Sequence, residues 1–309
     1  MKKPTKHKKE NKKINMGDFS IHNITKDTPV IAWWSGGVSS AVTCKLCIDF
    51  FGLENVKIVF IDTKNESDDT YVFLSQCEAW YGKEIETISH SDFTNIREVW
   101  YKYKSLNVAT GAICSTTLKR FVREVYQRNN KFSYQAFGFD IEEINRAKSL
   151  KMNHPDSKPI FPLIFELMRK KDCVKTIQDA NNVFLTIEIP QAYKQGYHNN
   201  NCWKTMCVQG GIGYWQKVQR EQPEKFDAMA TVEHELTDMK GEPVTMLKDQ
   251  SKSGGLVFLK PHPKYLSIKD ISMMKGREPK PLMECNGFCG TNDLQRNETE
   301  NEINYATNK

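Results

Sequence analysis

Two glycines and three serines lie together near the start of the chain, in a run that could hold a phosphate group. The run consists of Ser35, Gly36, Gly37, Val38, Ser39 and Ser40. It follows an apolar stretch at residues 29–34 and precedes a segment with apolar residues at helical spacing. Glycine lets the backbone approach a ligand closely, and the first amides of a helix have no partner inside it. The run predicts an anion site, although an ordinary strand-to-helix turn stays open as the alternative.

The run differs from two common nucleotide fingerprints. It contains neither G-x-x-x-x-G-K-[ST] nor G-x-G-x-x-G. A kinase-like phosphate loop and a dehydrogenase-type fold are therefore both disfavoured.

Four cysteines form two pairs in segments rich in Asn and Gly. Cys202 and Cys207 have four residues between them, and Cys285 and Cys289 have three. Four thiolates suit either Zn²⁺ or a 4Fe-4S cluster, and the number of ligands does not separate the two. Unpaired loop thiols and a redox-active pair stay open as alternatives.

A fifth cysteine, Cys114, precedes a predicted basic helix at residues 118–127 that contains Lys119. Helix amides and neighbouring cations lower the pKa of a thiol. The spacing therefore predicts a reactive thiol near the site. Cys44, Cys47, Cys77 and Cys173 lie on predicted helices, where we expect them to pack as small apolar residues.

Composition indicates a globular protein that does not enter a membrane. Of the 309 residues, 39% are hydrophobic, and no apolar run approaches the length of a membrane span. The net charge of +6 equals that of the first thirteen residues, which carry seven lysines and one glutamate. We expect this basic tail to be disordered, with nucleic-acid contact left open. The lysine-rich start lacks the apolar segment of a secretory signal, so we expect a cytoplasmic protein.

Strands and helices alternate along the first half of the chain, which predicts a doubly wound parallel α/β sheet. Three predicted strands end in polar or glycine-rich residues: Ser35-Gly36-Gly37, Asp62-Thr63 and Gly138-Phe139-Asp140. Ligands collect at the carboxyl ends of such strands, so these ends should line one pocket. A capping role for Asp62 stays open.

We predict four segments along the chain. They are a disordered tail at 1–24, an α/β nucleotide-binding domain at 25–165, a mainly helical and loop region with the cysteine motifs at 166–291, and a flexible tail at 292–309. Around the boundary, residues 159–163 are predicted to be extended because of their two prolines. Residues 183–189 are predicted to form a short strand that Pro190 stops.

The order of these motifs resembles the phosphoadenosine phosphosulfate (PAPS) reductase-like proteins of bacteria and phages, in the PP-loop ATP pyrophosphatase (adenine nucleotide alpha hydrolase) superfamily. The resemblance covers about residues 29–290. The matching positions are Ser35-Gly36-Gly37, Asp62, Cys114 with Lys119, Gly138-x-Asp140-x₂-Glu143-x₂-Arg146, Pro162-Leu163, Pro190-x₂-Tyr193-x₂-Gly196, Asn200-Asn201-Cys202 and Cys285-x₃-Cys289.

This resemblance implies an adenine nucleotide, ATP or PAPS, whose phosphates lie against residues 35–40, with Mg²⁺ if it is ATP. Asp62, Thr63, Gly138 and Asp140 are then expected near the nucleotide. Lys119 and Arg146 would stabilise charge during displacement at phosphorus. A surface ion pair between Glu143 and Arg146 stays open as the alternative.

The resemblance leaves the reaction open between three classes. An enzyme that adenylates an acceptor with ATP, in sulfur transfer for example, would release pyrophosphate and contact a nucleic acid or a sulfur-donor protein. A PAPS or adenylylsulfate reductase is the second class. The third is a nucleotide-binding factor without catalysis, because many ATP-cleaving relatives have Asp where this chain has Ser39. A homo-oligomer is compatible with all three.

Overall fold

The structure is a computed structural model that describes residues 19–282, except residues 22, 109, 110, 201, 252 and 253. The strands are β1 (Val30–Trp34), β2 (Val56–Ile61), β3 (Glu86–Ile88), β4 (Asn107–Val108), β5 (Gly111–Ala112), β6 (Tyr134–Ala136), β7 (Pro159–Ile160), β8 (Leu247–Asp249), β9 (Gly255–Phe258) and β10 (Lys269–Asp270).

The α-helices are α1 (Val38–Phe51), α2 (Asp68–Tyr81), α3 (Ile96–Tyr103), α4 (Ile113–Ser115), α5 (Val122–Asn129), α6 (Ile144–Asn153), α7 (Pro162–Phe165), α8 (Lys170–Ala180), α9 (Gln191–Lys194), α10 (Ile212–Glu221) and α11 (Pro223–Lys240). A π-helix at Thr116–Phe121 joins α4 to α5. Among the described residues, no helix has both the length and the apolar character that crossing a membrane requires.

The main sheet is parallel and has the strand order β3-β2-β1-β6-β7. Strands β2 and β3 follow one another on one side of β1, and β6 pairs with β1 on its other side. The order therefore reverses between β1 and β6, where ligands bind in sheets of this type. The doubly wound fold predicted from the alternating pattern is confirmed, and the three polar strand ends follow the neighbouring strands β2, β1 and β6.

Both faces of this sheet are covered, as its apolar strands require. In β1, Val30, Ala32 and Trp34 pack in one buried cluster with residues of α1, α2 and α8. Ile31 and Trp33 alternate with them and pack on the opposite face with residues of α5 and α6. This alternation follows from the two-residue period of a strand.

A third buried cluster lies away from the sheet. It combines α3 and α4 with α10, α11 and the small sheet β10-β9-β8, and Trp100, Trp215 and Phe226 are fully buried in it. The region after residue 166 is mainly helix and loop, as predicted. Its small sheet was not predicted, because strands of three, four and two residues are too short to show a periodic pattern.

The strand predicted at residues 183–189 is wrong, because this segment is irregular. The Asn182 side chain accepts hydrogen bonds from the amides of Phe184 and Leu185, at 2.8 and 3.1 Å. This local turn uses the amides that a sheet would need, and it leaves Val183 and Phe184 90% and 96% exposed.

Two other local predictions are corrected. Residues 159–163 are extended only through β7, since Pro162 begins α7, a position where its missing amide hydrogen costs nothing. The basic helix predicted at 118–127 begins with the π-helix and continues as α5 to Asn129. The division at residue 165 stays a prediction, and α8, which lies beyond it, packs on α1.

Gly138, directly after β6, lies against the start of α1. A Cβ atom at this position would be 2.8 Å from both the Cα and the amide nitrogen of Ser40. Only a residue without a side chain lets β6 approach the helix backbone so closely.

Replacing Gly138 with Ala should therefore lower the free energy of unfolding by about 1–3 kcal/mol, the usual range for overpacking a tight contact. Gly276→Ala is the matched control, because nothing lies within 4 Å of a Cβ at that exposed position. Urea unfolding of both variants measures the difference. Equal free energies of unfolding for the two variants would contradict the close approach of Gly138 to the Ser40 backbone.

Candidate functional site

The candidate site centres on the turn between β1 and α1, which we call the 35–40 loop. Gly36 has φ +82°, and a Cβ there would be 2.8 Å from Cγ2 of Thr70. The Ser40 hydroxyl donates to the carbonyl of Gly37 at 2.8 Å and accepts from the amide of Ser35 at 2.9 Å. The loop is thus braced from within. The N-terminus of α1 suits an anion, although the Val38 amide already donates to the Tyr193 hydroxyl.

The three loop serines do different things. Ser40 is 1% exposed and braces the turn, and the Ser35 hydroxyl lies 3.1 Å from the Ser40 hydroxyl. Ser39 is fully buried, and its hydroxyl has no hydrogen-bond partner among the described residues. Position 39 is therefore enclosed in this fold.

Asp62, which follows β2, is held by three hydrogen bonds. Its carboxylate accepts from the amide and the ammonium of Lys64, both at 2.7 Å, and from the Tyr71 hydroxyl at 3.0 Å. Burial raises the pKa of Asp62, but these hydrogen bonds outweigh burial and leave the pKa below its ordinary value. Asp62 is therefore ionised and committed to local partners.

Glu66 is a buried acid at the same strand end whose role the sequence did not reveal. Its carboxylate accepts from Thr63 Oγ1 at 3.0 Å and from the amide of Asn65 at 3.0 Å. Its Oε1 lies 4.0 Å from Nζ of Lys119, a predicted catalytic residue that is only 5% exposed. Burial raises the pKa of Glu66, although the Lys119 ammonium opposes this. The structure thus brings Lys119 to the loop that contains Thr63.

The predicted residues after β6 are also buried. Asp140 accepts from the amide of Glu142 at 2.9 Å and so caps a short 3₁₀ turn. Arg146 lies 2.7 Å from the Glu143 carboxylate and stacks on the Phe139 ring at 4.2 Å. With side chains 6% and 11% exposed, Arg146 and Glu143 do not form the exposed surface pair left open above.

A distant segment, residues 190–207, contacts both loops of the site. Nδ2 of Asn200 donates to the carbonyl of Gly36 at 3.1 Å and to Thr70 Oγ1 at 2.7 Å. The Tyr193 hydroxyl accepts from the amide of Val38 at 3.3 Å. Nδ2 of Asn65 donates to Thr205 Oγ1 at 2.7 Å. Both Tyr193 and Asn200 belong to motifs noticed in the sequence, but spacing alone did not indicate that they contact the 35–40 loop.

The predicted metal ligands are only partly within the described residues. Cys202 and Cys207 lie on the 190–207 segment, where Cys202 and Met206 have positive φ angles of 55° and 63°. Cys285 and Cys289 lie outside the described residues, so the four-cysteine site stays a prediction. Within the described part, no group of three or more His, Cys, Asp or Glu residues could hold a metal ion.

The other cysteines are buried. Cys114 and Cys202 belong to the same buried cluster, which is built mainly from the second region. The structure therefore places both thiols in the buried cluster that lies away from the main sheet. Cys44, Cys47, Cys77 and Cys173 pack inside the fold as expected, and burial raises the pKa of Cys77 to about 12.

Residues 29–138 match the family model for the phosphoadenosine phosphosulfate reductase domain. This segment, which is less than half of the chain, is similar to that family. The matched segment runs from just before β1 to Gly138, and it includes the 35–40 loop, Asp62, Glu66 and Lys119. The resemblance predicted from the motifs is confirmed for these residues, whereas a bacterial or phage type stays a prediction.

Similar proteins were found by sequence and by structure. The chain is 26% identical over 220 residues to the uncharacterized protein MJ0066 of Methanocaldococcus jannaschii, covering 68% of this chain and 42% of that protein. The chain therefore spans about two fifths of the length of this curated relative.

Two solved structures share partial similarity. The PAPS reductase of Candida auris, in complex with phosphate, has a TM-score of 0.40 at 14% identity, covering 59% of this chain and 83% of that one. The U34-tRNA thiolase NcsA of Methanococcus maripaludis, with its [4Fe-4S] cluster, has a TM-score of 0.39 at 15% identity, covering 71% and 75%.

The hydrogen bonds to Asp62 predict a pH-dependent stability. The pKa of Asp62 is lower in the folded state than its unfolded value of about 3.9, so its ionisation stabilises the fold above that pH and ceases to do so in acid. Asp62→Asn should thus cost more free energy of unfolding at about pH 7 than at about pH 3. Urea unfolding at both pH values measures this.

Asp179→Asn is the control, since that carboxylate forms an exposed ion pair with Lys175. A cost of Asp62→Asn that does not change with pH would contradict the role assigned to the hydrogen bonds.

Proposed function

We propose that this protein binds an adenine nucleotide with its phosphates against the 35–40 loop. The observation that carries this proposal is the position of the loop, at the carboxyl end of β1 where the strand order reverses. The positive φ of Gly36 and the braced start of α1 support it, because both shape a tight turn at a helix N-terminus, where anions bind. The match of residues 29–138 to the PAPS reductase domain model supports the same ligand class.

The reaction we propose is the adenylation of an acceptor by ATP. A nucleophile of the acceptor forms a bond to the α-phosphorus, while the bond from that phosphorus to the bridging oxygen breaks and pyrophosphate leaves. Lys119 is the cation best supported for stabilising the developing charge, because it is buried beside the loop after β2. Mg²⁺ would accompany the ATP, with Arg146 as a second cation and Cys114 as the candidate thiol.

The acceptor is a nucleobase, a nucleic acid or a small molecule, and sulfur transfer is the chemistry that the predicted cysteine site favours. Cys202 and Cys207, together with Cys285 and Cys289, would hold a 4Fe-4S cluster or Zn²⁺. Among the described residues, support is limited to Cys202 and Cys207. They lie on one loop, in which Cys202 and Met206 have positive φ angles. A sulfur-donor protein would then be a partner.

Nucleotide binding without cleavage is the second candidate, and Ser39 favours it. This position is fully buried and carries a hydroxyl where many ATP-cleaving relatives have a carboxylate. A carboxylate there would help to hold Mg²⁺, so its replacement removes one metal ligand while leaving the loop amides in place.

Product analysis separates these functions. Release of labelled pyrophosphate from ATP supports adenylation, sulfite release from PAPS would instead indicate the reductase, and tight ATP binding without turnover supports the second candidate.

Gly37→Leu should abolish nucleotide binding, because a large side chain fills the turn that receives the phosphates. Gly276→Leu, at an exposed position remote from the loop in sequence, should bind as the wild type does. Nucleotide affinity that survives Gly37→Leu would contradict the proposed site.

Metal analysis of anaerobically purified protein tests the cysteine site. Cys202→Ser and Cys285→Ser should each lose the bound metal, whereas Cys77→Ala, a change in the sheet core, should retain it. A brown protein with iron and sulfide indicates the cluster, and a colourless protein with zinc indicates the alternative. Metal content unchanged in all three variants would contradict the four-cysteine ligand set.

A further inference from the structure

We propose that Asn200 is a positioning residue for the 35–40 loop, one that sets the direction of a phosphate-binding amide from a distant part of the chain. This inference rests on the proposed nucleotide site. Asn200 lies beyond residues 29–138, so the family match to that segment does not include it.

The contacts of Asn200 are specific and enclosed. The side chain belongs to a residue that is 2% exposed, and its Nδ2 donates to Gly36 O and to Thr70 Oγ1. These two bonds use both hydrogens of the Asn200 side-chain amide, so its nitrogen and not its oxygen faces the 35–40 loop. Its Oδ1 is buried without a hydrogen-bond partner among the described residues. A buried oxygen without a partner is unfavourable, so packing alone does not account for an asparagine here.

The bond to Gly36 determines where the next amide points. A peptide bond is planar and trans, so its carbonyl and its N–H point in opposite directions. Anchoring the Gly36 carbonyl on Asn200 therefore aims the Gly37 N–H away from Asn200. Because Gly36 has φ +82° and no side chain to restrict it, this peptide would otherwise rotate easily.

Other contacts hold the 190–207 segment in place without Asn200. The Thr205 hydroxyl accepts from Asn65 Nδ2 at 2.7 Å, and the amide of Lys204 donates to the carbonyl of Asn65 at 3.3 Å. Loss of the Asn200 side chain should therefore free the Gly36 peptide while the segment stays docked. Thr205→Val provides a matched control, because it removes a bond of the same interface that does not reach the 35–40 loop.

The experiment measures ATP and pyrophosphate affinity by calorimetry for the wild type, Asn200→Ala, Asn200→Asp and Thr205→Val. Asn200→Ala should weaken both ligands about tenfold, the effect expected when a buried carbonyl loses its donor. Asn200→Asp should not restore affinity, because a carboxylate has no hydrogen to donate. Thr205→Val should bind as the wild type does. In NMR spectra of ligand-free protein labelled with ¹⁵N-glycine, the chemical shift of the Gly37 amide should also differ between Asn200→Ala and the wild type.

Three results would overturn the proposal, and they are distinguishable. Wild-type protein that binds neither ATP nor pyrophosphate overturns the proposed function and this inference together. Wild-type binding with equal affinity in Asn200→Ala overturns this inference alone. Equal weakening in Asn200→Ala and Thr205→Val also overturns it, because the effect would then come from loosening the segment as a whole.

Discussion

The backbone at the start of α1 is fixed by contacts from distant parts of the chain, and the site depends on this constraint. From one part, Gly138 approaches so closely that a Cβ would be 2.8 Å from the Ser40 backbone. From another, Asn200 binds the Gly36 carbonyl and the Tyr193 hydroxyl accepts from the Val38 amide. Ser40 joins the two ends of the turn from within. The loop is therefore organised by the whole fold, and β6 and the 190–207 segment must be in place before it is complete.

Cationic side chains at the neighbouring strand ends already have carboxylate partners. Lys64 binds Asp62 at 2.7 Å, Arg146 binds Glu143 at 2.7 Å, and Lys119 lies 4.0 Å from Glu66. Each of these three cations is therefore partly compensated by an acidic neighbour. The helix amides carry no counter-charge, so they are the donors best able to receive a multiply charged phosphate. Lys119 would then act when the phosphate competes with Glu66 for it.

The sequence predicted the parts of the fold that depend on local pattern. The apolar runs of β1 and β2, the glycine-serine turn and the alternation of strands and helices were enough to predict the doubly wound sheet and to bring Ser35, Asp62 and Gly138 to neighbouring strand ends. The turn at Asn182 shows where such patterns fail. The amides of Phe184 and Leu185, in an apolar run that would otherwise suit a strand, donate to the Asn182 side chain instead.

The residues that complete the site could not be predicted in the same way. Glu66 and Lys119 are 53 positions apart, and Asn200 reaches Gly36 across 164 positions. Their pairing depends on tertiary packing, which leaves no periodic signal in one sequence. The resemblance included Tyr193 and Asn200 among its matching positions, but only the structure shows which atoms they contact.

A crystal structure with a non-hydrolysable ATP analogue would test the central claim most directly. We expect phosphate oxygens within hydrogen-bond distance, about 3 Å, of backbone amides of the 35–40 loop other than those of Ser35 and Val38, which already donate to Ser40 and Tyr193. We also expect Asn200 to remain bound to the Gly36 carbonyl. Phosphates held elsewhere on the protein, with the loop amides left to water, would contradict it.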